Sequence, residues 1–360
     1  MQKLVRPYLT IIVPAYNVEE YIGQCLDSLT NQTELAHKVL VVNDGSTDST
    51  GKIVKDYAKK YPDLIQVIEQ ENKGLGAARN IGLRNVDTPF VTFLDSDDWQ
   101  DPQFVEKVRI VLEKQEETPD IIFTLPWNFD SGCNCVRDWK DRPLMEYLFF
   151  RISTRHGDSQ ILNARMDRSL YALEPSTNRR VYKTAFLKRI DLHFTEGRKW
   201  EDVVPHFIAI HNADRCIGIR DTGFYYRINT GKQITSGGGK SRLDVIPVYQ
   251  EILNRATEEQ WAPDEIAYII RMMMDFCKWS IEVTNAEYIK PLLSALHVFF
   301  KSIPYSYFKS YLAVCPLDYR NDWLIFKVLR SPFYNMLKDY RARILEISLF
   351  HKLKRILRRG

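Results

Sequence analysis

The stretch Phe90-Val-Thr-Phe-Leu-Asp95-Ser-Asp-Asp98 runs an apolar strand straight into three carboxylates. Three earlier stretches share that form. Leu9–Pro14 leads into Pro14-Ala-Tyr16-Asn17-Val-Glu19, Val39–Val42 into Asn43-Asp44-Gly-Ser46, and Ile65–Ile68 into Glu71-Asn72-Lys-Gly74-Leu-Gly76-Ala-Ala-Arg79-Asn80-Ile-Gly82. A near-continuous apolar run is what a strand covered on both faces requires. Segments of helical periodicity separate the strands. Asn17, with Glu20 three residues on, reads as a capping box for a helix bearing Ile22, Leu26 and Leu29. Further helices are predicted over Ile53–Ala58, Gly76–Arg84 and Pro102–Glu117, and a fifth strand over Asp120–Leu125. This alternation specifies an α/β fold with a mostly parallel sheet flanked by helices. In such a sheet ligands bind beyond the carboxyl ends of the strands, where all four polar clusters fall.

The acidic cluster carries the sharpest chemistry. Asp95 and Asp97 stand two apart at a strand end, so their side chains lean to one side. Adjacent carboxylates repel and raise each other's pKa unless a cation lies between them. Mg²⁺ or Mn²⁺, shared with a substrate diphosphate, resolves that repulsion. The competing reading makes Asp97 and Asp98 caps of the helix near Pro102; for an isolated pair it would prevail, and the position on the rim reverses the balance. Gly74-Leu-Gly76-Ala-Ala-Arg79 lacks the third glycine of a dinucleotide fingerprint, and no P-loop sequence occurs. A helix N-terminus with Arg79 facing an anion remains.

Ile12-Val-Pro-Ala-Tyr-Asn17, Val42-Asn-Asp-Gly-Ser-Thr-Asp48, Asn72-x-Gly74 with Ala78-Arg79-Asn80-x-Gly82, and Phe93-Leu-Asp-Ser-Asp-Asp98 together resemble glycosyltransferase family two, in order and spacing, over about the first 100 residues. The resemblance implies the Rossmann-like GT-A fold, a UDP-sugar donor and transfer with inversion. It places Pro14, Tyr16 and Glu19 around uracil and ribose, Asp44 on the uracil, and Arg79 on the nucleotide. Asp95 falls at the ribose and Asp97 at the metal, with Asn72 and Ser96 among the donor contacts. Asn43 departs from the family's frequent Asp. Glu196-Gly-Arg-Lys-Trp-Glu201-Asp202 resembles the segment that carries the family's catalytic base, which makes Asp202 the first candidate and Glu201 the second. A helix cap is the plainer role for Asp202. Tyr225-Tyr-Arg227-Ile-Asn and Gln233-Ile-Thr-Ser236 resemble a segment that closes over the donor, with Arg227 toward the diphosphate. A Q-x-x-R-W sequence is absent, which favours one sugar added per encounter over processive synthesis. A sugar-nucleotide pyrophosphorylase and a non-catalytic carbohydrate-binding or scaffold protein are the alternatives. The first lacks its phosphate loop, and the intact acidic residues count against the second.

Outside these motifs the sequence is less specific. Residues 1–236 read as the catalytic domain, with a nucleotide-sugar half to 125 and an acceptor half from 126. Gly237-Gly-Gly239 lies in a linker, 237–240, and 241–360 is a helical region. Acceptor contacts are expected among Trp127, Arg180 and Trp200, although Trp is more often core. Cys216–Ile228 reads as a strand pair. The scattered cysteines, including Cys133-Asn-Cys135, read as reduced thiols without a zinc site. The net charge of +4 divides unevenly: residues 320–360 hold 11 Lys/Arg against 3 Asp/Glu, leaving the rest at −4. A uniformly basic nucleic-acid binder is excluded. No apolar run spans a bilayer, and Pro14 interrupts the one that resembles a leader, so a cytoplasmic enzyme is expected. Leu345, Leu349, Leu353 and Ile356 stripe a basic terminal helix suited to the inner, anionic face of a membrane, where lipid-linked acceptors reside, or to an oligomer contact.

Overall fold

The structure is a computed structural model and describes residues 6–139, 142–152, 161–229 and 237–314, together with Asp322 and Arg330. The segment Gln233–Ser236, Cys315 and the terminal basic helix lie outside the described residues. The chain divides into two compact units, Met1–Gln233 and Ile234–Gly360.

In the first unit the elements are β1 (Leu9–Ala15), α1 (Ile22–Thr30), β2 (His37–Asp44), α2 (Thr50–Lys60), β3 (Ile65–Gln70), α3 (Leu75–Arg84), β4 (Phe90–Phe93), β5 (Trp99–Gln100), α4 (Phe104–Glu113), β6 (Ile121–Asp130), β7 (Cys135–Asp138), α5 (Arg142–Glu146), β8 (Arg180–Lys183), α6 (Thr184–Arg189), α7 (Val203–Asn212) and β9 (Cys216–Ile228). The sheet order is β3-β2-β1-β4-β8-β6-β9-β5, with β7 on β6. The half from β3 to β4 is parallel. Beyond it the sheet is mixed: β8 runs antiparallel to β4 and β6, β9 parallel to β6, and β5 antiparallel to β9. Every residue of β1 is buried, and Ile22, Cys25, Leu26 and Leu29 of α1 close over one face. This cover explains why β1, β2 and β4 read as apolar runs, while the edge strand β3 exposes Gln66 and Glu69.

Local patterns misled at three places. Asn17 does not cap α1, which begins at Ile22 without a side-chain cap. It adopts φ of 50°, a left-handed conformation that Asn tolerates, and its Oδ1 accepts from the Thr47 amide at 2.8 Å. The bond ties the loop after β1 to the loop after β2. Cys216–Ile228 is one strand of 13 residues, not a pair. Opposite β6 its register jumps from Phe123–Gly218 to Leu125–Thr222 and then to Pro126–Phe224, so Ile219–Asp221 and Gly223, on either side of the paired Thr222, are absorbed as bulges. Finally, Cys133 and Cys135 are not free thiols but form a disulfide. The turn between β6 and β7 brings their Cα atoms to 5.3 Å, within bridging range. Both sulfurs are thereby taken, although with Asp130 they form the group of three metal-ligand side chains among the described residues.

The second unit is helical: α8 (Val245–Glu258), α9 (Pro263–Val283), α10 (Ala286–Ser302) and α11 (Tyr305–Val314). Tyr249, Met273, Met274, Phe300 and Tyr311 are fully buried within it. Pro263 occupies the first turn of α9, where a missing N–H costs nothing, and Glu265 accepts from the Ala262 amide at 2.9 Å. Among the described residues, no helix is long and apolar enough to cross a membrane.

Candidate active site

The site is assembled around α3, and its glycines explain how. Gly74 caps the helix at φ 86°, a backbone state open to glycine, and Gly82 lies where a Cβ would meet Ile12 of β1 at 2.6 Å. At Gly76 a Cβ would stand 2.2 Å from the Thr195 carbonyl oxygen and 3.3 Å from Cβ of Glu201. Residues 194–201 can therefore lie directly on the first turn of α3. Asn80 fastens them. Its Nδ2 donates to the Phe194 carbonyl at 2.9 Å and to Glu196 Oε1 at 2.8 Å, and its Oδ1 accepts from the Phe194 amide at 2.7 Å.

Arg79, one residue earlier and 3% exposed, joins the two halves of the site. Its Nη2 donates to Asp95 Oδ1 at 2.7 Å, its Nη1 donates to Glu201 Oε1, and its guanidinium lies 5.5 Å from the Phe194 ring centroid. Asp202 stands at the start of α7 but makes no side-chain cap bond, so the capping role does not account for it. Burial and the charge of Glu201 push its carboxyl well above the ordinary range, against the opposing pull of Arg79. The preceding residue, Trp200, is half-buried at φ 65°, a costly conformation for a bulky side chain.

The turn Asp95–Asp98 divides its carboxylates by task. Asp95 is bound by Arg79. Asp98 is 1% exposed and accepts from the Arg227 amide at 2.8 Å and from Asn178 Nδ2 at 3.3 Å. Asp97 has no side-chain partner among the described residues; burial first, then the charge of Asp95, raises it to about 6. A half-buried, unpaired carboxylate beside another fits a site for a hard divalent ion that takes one protein ligand and completes its shell with phosphate and water. Neither Asp97 nor Asp98 caps α4, because β5 intervenes and Gln103 occupies the cap position.

The remaining sequence candidates are placed unevenly. Pro14 is buried in β1, while Tyr16, 46% exposed, and Glu19 stand on the loop after it. Glu19 accepts from the Ser49 amide at 2.8 Å. Asn72 is exposed and Ser96 is buried. The Asp44 carboxylate is 3% exposed and accepts from Gln70 Nε2, the Lys73 amide and the Gly74 amide at 2.6, 2.9 and 2.8 Å. Arg227 is 8% exposed, with its guanidinium engaged by Gln24 and by the Asp97 carbonyl. Trp127 donates to Thr222 Oγ1 at 2.8 Å and stacks under Arg142. Arg180 is 2% exposed and spends its guanidinium on His206 Nδ1 and the Glu174 carbonyl. Sequence reading passed over Tyr21, Gln24, Trp99 and Asn178, whose only signal is proximity in space, and named Asn80 solely as part of a motif.

Residues 10–168 match Glycosyl transferase family 2. Glycosyltransferase GlyA of Streptococcus pneumoniae serotype 4 is 52% identical over 115 residues, 32% of this chain and 16% of that protein. The poly(ribitol-phosphate) β-N-acetylglucosaminyltransferase TarS of Staphylococcus aureus strain Mu50 is 28% identical over 305 residues, 82% of this chain and 49% of TarS. The chain thus spans between a sixth and about half of these relatives. The crystal structure of S. aureus TarS 1–349 in complex with UDP-GlcNAc shares the fold, with a TM-score of 0.65 at 23% identity over 91% of both chains. Glu201, Asp202 and Arg227 lie beyond the family match, on elements fastened to it by Arg79, Asn80 and Asp98. Over residues 10–168, the chain is similar to glycosyl transferase family 2.

Proposed function

We propose that the protein transfers a sugar, with inversion, from a UDP-sugar to a hydroxyl of a cell-surface polymer such as a teichoic acid or glycan. The observation that carries this reading is the Arg79 bridge, which holds Glu201 and its neighbour Asp202 against the donor-side Asp95. Arg79 engages Glu201, whereas the Asp202 side chain has no hydrogen-bond partner among the described residues, and burial raises its proton affinity above that of an ordinary carboxylate, as a general base requires. Asp202 removes the acceptor proton as that oxygen attacks the anomeric carbon opposite the diphosphate. A divalent cation, held by Asp97 and the donor's phosphates, would offset the charge of the departing UDP. The basic terminal residues bring the enzyme to an anionic membrane surface, where a lipid-linked acceptor would be met.

TarS crystallises with UDP-GlcNAc and is named for poly(ribitol-phosphate), so that donor and polyol-phosphate polymers head the panel to be tried. UDP release is measured across common UDP-sugars, with and without EDTA. Acceptor-stimulated release that EDTA suppresses is expected from one donor. Failure of every UDP-sugar, with no stabilisation by UDP, would remove the transferase reading.

A further inference from the structure

Arg227 grips two consecutive residues of the acidic turn. Its amide donates to Asp98 Oδ1 and its Nε to the Asp97 carbonyl, both at 2.8 Å, while Nη2 donates to Gln24 of α1. The guanidinium is enclosed by aromatic rings, with centroids at 4.8 Å for Trp99, 4.9 Å for Tyr21 and 5.6 Å for Phe129. Trp99 is itself fixed by stacking on Tyr225 at 5.2 Å and by an edge contact to Phe129 at 5.0 Å. Four elements, α1, β5, β6 and β9, thus converge on one cation. To reach a diphosphate, that cation would have to surrender a desolvated aromatic cage and two side-chain hydrogen bonds.

We propose that Arg227 is a positioning residue that aims the Asp97 carboxylate by fixing its backbone, and that it does not contact the donor. The inference rests on the reading of Asp97 as the metal ligand. Asp97 has no side-chain partner of its own among the described residues, so the direction of its carboxylate is set by the backbone it hangs from. That backbone is held by Arg227 on the carbonyl side, and by Asp98, again through Arg227, one residue on.

The test is UDP binding to the full-length protein by calorimetry, in EDTA and in Mn²⁺, with Arg227→Met. The expected result is an unchanged affinity in EDTA and an Mn²⁺-dependent gain reduced by about tenfold or more, as for other groups that orient a metal ligand. Titration of Mn²⁺ alone, followed by electron paramagnetic resonance, should show the same weakening. Loss of affinity already in EDTA would mean that Arg227 touches the donor and overturns the proposal, as would an undiminished gain. If Arg227→Met fails to fold, Gln24→Ala decides: it removes one anchor from an exposed position, and a smaller loss confined to the Mn²⁺ gain is expected. A wild-type protein whose UDP affinity ignores Mn²⁺ would remove the metal reading and this proposal with it. A change seen in the variant alone separates the two.

Discussion

At Asp97, burial and the charge of Asp95 raise the carboxyl from 3.8 to about 6. Between those values the folded protein holds a proton that the unfolded chain has released, so stability falls as pH rises through the window. Asp97→Asn removes that penalty. Without metal, its Tm should exceed that of the wild type by a few degrees at pH 7.5, and the gap should close as pH falls below about 4. Scanning calorimetry at the two pH values checks this; an equal offset at both would assign the gain to packing. Arg79 is the opposite case. Its removal leaves Asp95 and Glu201 uncompensated beside Asp202, and Arg79→Met should cost about 3–5 kcal/mol in urea unfolding. Asp202→Asn should keep UDP affinity while lowering kcat by about a hundredfold or more. Retained turnover would move the base to another residue.

The elements show which parts of the sequence carried their own meaning. β1 and β2 were legible because a doubly covered strand has no polar face to disguise it. Asn17 was not, since a short-range capping pattern lost to a bond with Thr47 thirty residues away. β9 was misread because its bulges need β6 opposite them before Gly223 becomes a bulge and not a turn. The Arg227 cage was invisible for the same reason, with partners drawn from residues 21 to 129. The glycines of α3 fall between these extremes: their spacing was evident, their purpose was not. Gly76→Ala forces a methyl against the Thr195 carbonyl, a strain of about 1–3 kcal/mol. Because the displaced segment leads into Glu201 and Asp202, kcat should fall more than the affinity for UDP. Equal losses in both would point to general unfolding.

Over the whole molecule, charge is the feature the sequence states most directly. Residues 320–360 are basic by eight charges and the rest acidic by four. Attraction of such a segment to anionic lipid is screened over about 8 Å at physiological salt. Sedimentation with phosphatidylglycerol vesicles should therefore capture the protein at low salt and release it at high salt, and phosphatidylcholine vesicles should not capture it. Deleting residues 344–360 should abolish capture, and undiminished binding would assign the contact to another surface. The acceptor side was the least legible, since Trp127 and Arg180 are spent on neighbours that only the folded sheet supplies.

The Asp44 carboxylate has kinetic consequences. Three of its lone-pair sites are filled by Gln70, Lys73 and Gly74, which leaves a single position on Oδ2, closed to solvent. If this residue reads the uracil, as the family resemblance implies, one of the three donors on the 70–74 turn must yield or the buried fourth position must open. Donor capture would then be gated from within, and in stopped-flow mixing its observed rate should level off with nucleotide concentration at the rate of that opening.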